Sequence, residues 1–226
     1  NKVLLLEAGP ASHPWSRIPI GYAKLITNPA VNWLYRSEPE EGTRGRRIPV
    51  PRGRMLGGSS AINGLAFVRG QAQDFDNWAQ MGNPGWSYAD VLPHFKRMER
   101  YEGQGDSAFR GHDGPLRVTD PPPRDPLLAT LIRAAGEVGI PHNPDYNGAS
   151  QDGIAMSQAT IASRRRMSTA HCYLDPVRNR ANLRIVTEAL AEALLLEGHR
   201  CTGLRYRVGE DIRTATARRE VILCAG

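Results

Sequence analysis

Cysteine, lysine and long apolar runs are all scarce in this sequence. There are 3 cysteines in 226 residues, Cys172, Cys201 and Cys224. An odd number with no CxxC spacing argues against a disulfide framework and against a zinc knuckle, and fits a reducing compartment. Lysine is confined to Lys2, Lys24 and Lys96, so the formal charge of +6 is carried almost wholly by dispersed arginines. The one tight basic run, Arg164-Arg165-Arg166, has no neighbouring aromatics and no nucleic-acid reading motif. It reads as a solvated loop, and a nucleic-acid partner is not expected. No apolar run reaches the roughly 18 to 20 residues that span a bilayer, and no signal segment opens the chain. A cytoplasmic location is expected, with association at the periphery of a membrane left open.

Hydrophobic residues at 40% and charged residues at 23% place the chain among globular proteins. Lys2 to Glu7 is a nearly continuous apolar run closing on an acid and then Gly9-Pro10. That pattern predicts a parallel strand of an α/β sheet entering a loop. Both ends look internal, since the chain starts directly on this strand and stops on "EVILCAG", a second expected strand.

Between these ends the pattern changes several times. Trp33 to Val50 predicts an extended excursion with a turn at "PEEGTRG". Ser87 with Asp90 three residues later predicts a capped helix burying Val91, Leu92, Phe95 and Met98. Leu127, Leu128, Leu131, Ile132 and Ala135 trace a second helical face that ends at Gly139. "HNPDYNGASQDG" is turn chemistry, and "IAMSQATI" alternates like a strand. A helix is expected from Ser168, followed by strands in "NLRIVTEALAEALLLEG" and "CTGLRYRV".

The most unusual stretch is Pro51 to Gly70, "PRGRMLGGSSAINGLAFVRG". Glycines remove the Cβ atoms that hold a ligand off the main chain, and a helix start offers N–H groups to an anion. Taken alone, GGSS is equally a helix start whose glycines allow tight packing. The spacing Gly53-x-x-x-x-Gly58 begins like a P-loop, but Ser59-Ser60 stand where a Lys-Ser or Lys-Thr pair is required. The order Gly-Gly-Ser-Ser also differs from the Gly-x-Ser-x-Gly of a hydrolase elbow. Gly103-x-Gly105-x-x-Ala108 follows a helix instead of a strand and reads as loop. Glu7 fits the acid that ends the second strand of a dinucleotide-binding fold, where it bonds a ribose. The six histidines, His13, His94, His112, His142, His171 and His199, are scattered, and surface or packing roles are expected of them.

Together "VLLLEAGP", "PRGRMLGGSSAINGLAFVRGQAQDFDNW", "RRMSTAHCYLDP" and "EVILCAG" resemble the glucose-methanol-choline (GMC) family of FAD-dependent oxidoreductases. The resemblance implies an α/β fold, with an incomplete Rossmann-like FAD-binding domain and part of an α+β substrate-binding domain. Residues 1–120 would form the FAD-binding part, 121–165 part of the substrate-binding domain, and 166–226 a return to the FAD-binding domain. By resemblance Glu7 would hold the adenosine ribose with Ala8 beside it. Met55, Gly57, Gly58 and Ser59 would pass along the diphosphate and flavin side, and Asn63, Gly64, Leu65 and Ala66 would reach the flavin ring. Ala191 would contact the adenine through its backbone. Some members link their flavin through a histidine where this chain has Ile62, so non-covalent FAD is implied.

The implied reaction is oxidation of a small alcohol, choline or a primary aliphatic or aromatic alcohol, by hydride transfer to flavin N5. The family's base is a histidine expected downstream of Gly226, with the dinucleotide fingerprint before Asn1, so no catalytic residue and no metal ligand is assigned here. Substrate identity and the electron acceptor, oxygen or a quinone or other carrier, stay open. Two rival readings are an FAD-containing hydroxynitrile lyase of the same fold and a non-enzymatic basic binding module.

Overall fold

The apolar run after Lys2 forms β1 (Val3–Leu6), and its partner lies far along the sequence. The computed structural model describes residues 1–120 and 125–226. These residues divide into two compact units, one of residues 1–64 and 168–226, the other of residues 65–167. The divisions fall at Gly64/Leu65 and Met167/Ser168. The resemblance implies a first joint at residue 120. The earlier division follows from the way the stretch after Gly64 is laced to residues 146–160, described below.

In chain order, β1 is followed by a short helix α1 (Tyr22–Leu25), β2 (Tyr35–Arg36) and β3 (Pro49–Val50). Then come helices α2 (Ala72–Gln80) and α3 (Tyr88–Met98), β4 (Glu99–Tyr101) and β5 (Leu116–Val118). Helix α4 (Pro126–Glu137) leads to the hairpin of β6 (Ile161–Ala162) and β7 (Arg165–Arg166). The chain ends with β8 (Leu183–Val186), β9 (Ala189–Glu197), β10 (Arg200–Val208) and β11 (Asp211–Thr216).

In the first unit β1 pairs in parallel with β8, Val3 opposite Leu183 through Leu6 opposite Val186. Two chain segments so distant in sequence can pair in parallel only through a crossover, as an α/β sheet requires. The last three strands form an antiparallel meander in the order β11-β10-β9. The core of this unit is Leu25, Val31, Met55, Ala61 and Ile62, all nearly inaccessible. Each large apolar side chain removed from water here contributes about 1.5–3 kcal/mol. The "EVILCAG" expectation is corrected: residues 220–226 form no strand, and Ile222 and Leu223 are exposed. Apolar patterning alone makes no ladder, and this segment pairs with no other strand among the described residues.

In the second unit the caps behave as the sequence predicts. The Ser87 hydroxyl accepts from the Asp90 amide at 3.3 Å, and the Asp90 carboxylate accepts from the Ser87 amide at 3.2 Å. Helices α2 and α3 meet through Phe75, which packs edge-on against Trp78 and Phe95. On α4 only Leu128, Ile132 and Ala135 turn inward, while Leu127 and Leu131 stay exposed.

Two further expectations are corrected. "IAMSQATI" is not a strand, because Ile154 and Ala159 make only isolated bridges and the ladder starts at Ile161. Its inward position is the buried Gln158, whose amide serves side chains instead of a strand partner. The helix expected from Ser168 forms as a π-helix (Ala170–Leu174) continued by a 3-10 turn (Asp175–Val177). Pro176 supplies no N–H to continue the ladder. The arginine run is a two-residue hairpin with Arg164 and Arg165 exposed, but Arg166 is buried, so only its tip is solvated.

Candidate functional site

The glycine-serine stretch is brought to its place by Asn32, a buried side chain that organises two loops. Its carboxamide oxygen accepts from the amides of Leu34 and Arg52, both at 3.0 Å, and its amide group donates to the Ile26 carbonyl at 2.6 Å. A buried carboxamide satisfied in this way fixes the path of residues 52–54. Gly53 then lies where any Cβ would stand 2.2 Å from the Gly58 carbonyl oxygen, so no larger residue fits.

Gly57 and Gly58 follow with φ of 92° and 51°, the left-handed region where a Cβ is penalised. They lead into a single 3-10 turn, Gly58–Ala61. The Gly57 carbonyl accepts from the Ser60 hydroxyl at 2.5 Å and from the Thr169 hydroxyl at 3.3 Å. The Ser60 oxygen also accepts from the Thr169 amide at 2.9 Å, pinning this turn to the start of the π-helix. On the other side there is room: among the described residues no atom beyond the chain neighbours lies within 4 Å of the Cβ position of Gly58 or of Gly64. Hydroxyls thus lock the glycine turn from one side, and bare backbone faces open space on the other.

The resemblance-derived residues take up distinct settings. Glu7 ends β1, its amide bonded to the Val186 carbonyl and its own carbonyl receiving the Ala189 amide at 2.8 Å. Its carboxylate accepts from the Gly9 amide at 2.8 Å. Burial pushes the Glu7 carboxyl above its ordinary range, opposed by the Gly9 and Ala8 amides and the Arg54 charge and reinforced by Glu188. Ala8 is half-buried between them. Met55 is buried in the core, and the Ser59 hydroxyl accepts from the Gly53 amide at 3.1 Å. Ala191 lies on β9 opposite Tyr206. Glu7, Ala8, Met55, Gly57, Gly58, Ser59, Asn63, Gly64 and Ala191 all belong to the first unit, whereas Leu65 and Ala66 open the second. Asn63, Gly64 and Ala66 are exposed, while the Leu65 side chain is buried.

Leu65 stands at φ 74°, a strained setting for a branched residue that persists only where its surroundings over-determine it. Its carbonyl accepts from the Thr160 amide at 2.9 Å and the Thr160 hydroxyl at 3.2 Å. Next to it, the Asn147 amide group reaches the Phe67 carbonyl at 3.0 Å, and the Asn147 oxygen accepts from the Arg69 amide at 2.8 Å. The Tyr146 hydroxyl donates to the same Phe67 carbonyl at 3.0 Å.

Arg69 itself pairs with the fully buried Glu99 at 2.5 Å, and Glu99 also takes a forked pair from Arg110 at 2.9 and 3.2 Å. Arg110 further bonds Gln158 at 3.0 Å, pairs with Asp145, and lies 3.6 Å from the Tyr101 ring centre. Residue-type patterning missed this network. Its one sequence signal is "DYNG", whose Asp145, Tyr146 and Asn147 read as turn chemistry yet supply the side chains that hold residues 67–69.

The stretch from Gly53 to Arg69 therefore holds a bare, partly strained backbone in place through bonds from both sides. Residues 21–226 match the GMC oxidoreductases. The chain belongs to the GMC oxidoreductase family. Across 226 residues it is 42% identical to an oxygen-dependent choline dehydrogenase of Rhizobium etli (strain CIAT 652), covering 100% of this chain and 41% of that protein. Its fold superposes on pyridoxine 4-oxidase from Mesorbium loti with TM-score 0.89 and 30% identity, covering 96% of this chain and 43% of that one. An FAD-dependent oxidoreductase from Chaetomium thermophilum gives TM-score 0.86 at 28% identity, covering 97% of this chain and 40% of that one. The chain thus spans about two fifths of the length of the curated relatives it matches. Proteins of the GMC family bind FAD. No helix among the described residues is long and apolar enough to cross a membrane.

The residues present fit a flavin dinucleotide. The half-buried Glu7 carboxylate follows directly on β1, as ribose recognition needs, and the open side of Gly58 and Gly64 is a cradle that a Cβ would fill.

Proposed function

We propose that this chain is the FAD-holding portion of an enzyme that oxidises a small primary alcohol, choline or a close analogue, to the aldehyde. The observation that carries the reading is the glycine turn at Gly57–Gly58, locked by Ser60 and Thr169 yet open beside Gly58, in a GMC chain. When bound, FAD supplies the two-electron acceptor for the hydrogen leaving the alcohol carbon.

The chain's own residues bind and orient. Glu7 accepts the hydroxyls of the adenosine ribose, with Ala8 alongside, and Ala191 offers its backbone to the adenine. Gly57, Gly58 and Ser59 bring main chain against the diphosphate side. Because the Met55 and Leu65 side chains are buried, both residues serve through their backbone. Asn63, Gly64, Leu65 and Ala66 lie along the flavin ring. Ile62, buried in the core, offers no nucleophile to the ring, so the flavin is held without a covalent bond. Residues 121–165 contribute to the substrate-binding part.

The test is anaerobic mixing of the full-length protein with choline and a panel of primary alcohols while the flavin absorbance is followed. Bleaching by at least one alcohol is expected, followed by recovery of colour on admitting oxygen, as the relatives' name suggests. Absence of bleaching by every alcohol refutes the reading. Mandelonitrile cleavage without flavin reduction would establish the lyase alternative, and a colourless, salt-sensitive nucleic-acid binder the binding-module one.

A further inference from the structure

From Leu65 onward the chain alternates in burial and in bonding at once. Leu65, Phe67 and Arg69 are buried, whereas Ala66 and Val68 are exposed. The Leu65 carbonyl accepts from the Thr160 amide at 2.9 Å and the Phe67 amide donates to the Gln158 carbonyl at 2.9 Å, which makes the isolated bridge of Ala66 with Ala159. Ala159 is tied in turn to Thr119, just past β5, by two bonds of 2.9 Å. Beyond the Phe67 amide, side chains take over from backbone. The Asn147 carboxamide, in a residue only 2% exposed, donates to the Phe67 carbonyl at 3.0 Å and accepts from the Arg69 amide at 2.8 Å. The Gln151 amide group then donates to the Arg69 carbonyl at 2.8 Å. A carboxamide carries the donor and acceptor of a peptide unit, so Asn147 takes the place of a strand residue. The Gln158 side-chain oxygen aims it, accepting from the Asn147 amide group at 2.7 Å. Successive residues of an extended chain turn their N–H and C=O groups to opposite edges. The second edge is bare: among the described residues no hydrogen bond reaches the main chain of Ala66 or Val68.

We propose that Asn147 is a positioning residue for the flavin: as a side-chain substitute for a paired strand, it holds residues 67–69 so that the unpaired main-chain edge of Ala66 and Val68 faces outward toward the ring system. The inference rests on the reading that lays Leu65 and Ala66 along the flavin ring. Leu65, at φ 74°, brings the chain into this edge in a strained conformation, and its bonds to Thr160 fix only the entry. Asn147 fixes the exit. Without it the Phe67 carbonyl keeps the Tyr146 hydroxyl, but the Arg69 amide has no acceptor and the segment between is held at one end. Asn147 acts through residues 66–68 and sets where the ring lies, and a misplacement of about 1 Å is enough to slow a reaction about a hundredfold.

The experiment compares the full-length wild type, Asn147→Ala and Ser87→Ala, each saturated with FAD, by visible-region circular dichroism of the bound flavin and by hydrogen exchange. Asn147→Ala should change the flavin dichroism and speed exchange of the Arg69 amide. It should also slow flavin reduction, by an alcohol that bleaches the wild type, about ten- to a hundredfold. Its FAD affinity should stay within about threefold of wild type, because the ADP half is held elsewhere. Ser87→Ala, which weakens the start of α3, should leave the dichroism as in wild type. If N147A does not fold, Gln151→Ala replaces it, removing only the bond to the Arg69 carbonyl, and should give the same change at smaller amplitude. Dichroism that stays at the wild-type form, or that changes equally in Ser87→Ala, overturns the proposal and leaves the FAD reading intact. If FAD does not slow exchange of the Ala66 amide in the wild type, the placement of the ring fails and the proposal with it.

Discussion

A methyl group at Gly58 separates the fold from its ligand. Gly58 has φ of 51°, and among the described residues nothing beyond its chain neighbours lies within 4 Å of where its Cβ would stand. Gly58→Ala therefore meets no packed neighbour among the described residues, and its cost to folding is the left-handed backbone penalty of about 1–2 kcal/mol. For a domain of this size each kcal/mol lowers the melting temperature by about 2–4 °C. The methyl instead occupies the space through which the diphosphate must approach the main chain. Losing one charge-assisted hydrogen bond there is worth about 1.5–3 kcal/mol, which weakens FAD binding about ten- to a hundredfold. Gly53→Ala is the contrasting control, because its Cβ would lie 2.2 Å from the Gly58 carbonyl oxygen and the turn itself must shift. The assay pairs a thermal melt of the flavin-free protein with a fluorescence titration of FAD. A Gly58→Ala protein whose FAD affinity stays within about twofold of wild type would refute the placement of the diphosphate beside Gly58.

Other perturbations test the supports of the site. Ser60→Ala removes the hydroxyl bonded to the Gly57 carbonyl and the Thr169 amide, and should cost about 1 kcal/mol in a denaturant melt while weakening FAD retention. Glu99→Gln leaves Arg69 and Arg110 buried without their shared anion and should lose about 3–5 kcal/mol of stability, read as a large drop in the denaturation midpoint. In the β6–β7 hairpin, Ser163 and Arg164 sit at φ 49° and 61°, as a two-residue turn of this kind demands. Arg164→Gly should raise stability by about 0.5–1 kcal/mol without changing FAD affinity, and a destabilised variant would show that Arg164 makes a contact worth more than the strain.

Local patterning carried the elements whose cause is local. Ser87 and Asp90 bond each other's backbone as a capping box, and the run before Glu7 is a parallel strand, because three or four residues suffice to specify each. The first turn of the glycine-serine stretch was legible for the same reason. The support was not. Glu99, Arg110, Asp145 and Gln158 are far apart in sequence, and in composition they look like ordinary surface residues, yet they close into one buried network. Arg166 likewise reads as one of three solvated arginines until the hairpin turns it inward. The strand expected in "EVILCAG" fails on the same ground, since a ladder depends on a neighbour that no local pattern announces. The positive φ of Leu65 is invisible to any propensity, for a branched residue is the last expected there.

Hydrogen exchange of the full-length protein with and without FAD reads the placement amide by amide. FAD should slow exchange at Glu7–Gly9, at Gly57–Ala66 and around Ala191, and leave the Glu99–Arg110 network, already closed, unchanged. Protection confined to other segments, or no protection at the glycine turn under saturating FAD, would contradict the account.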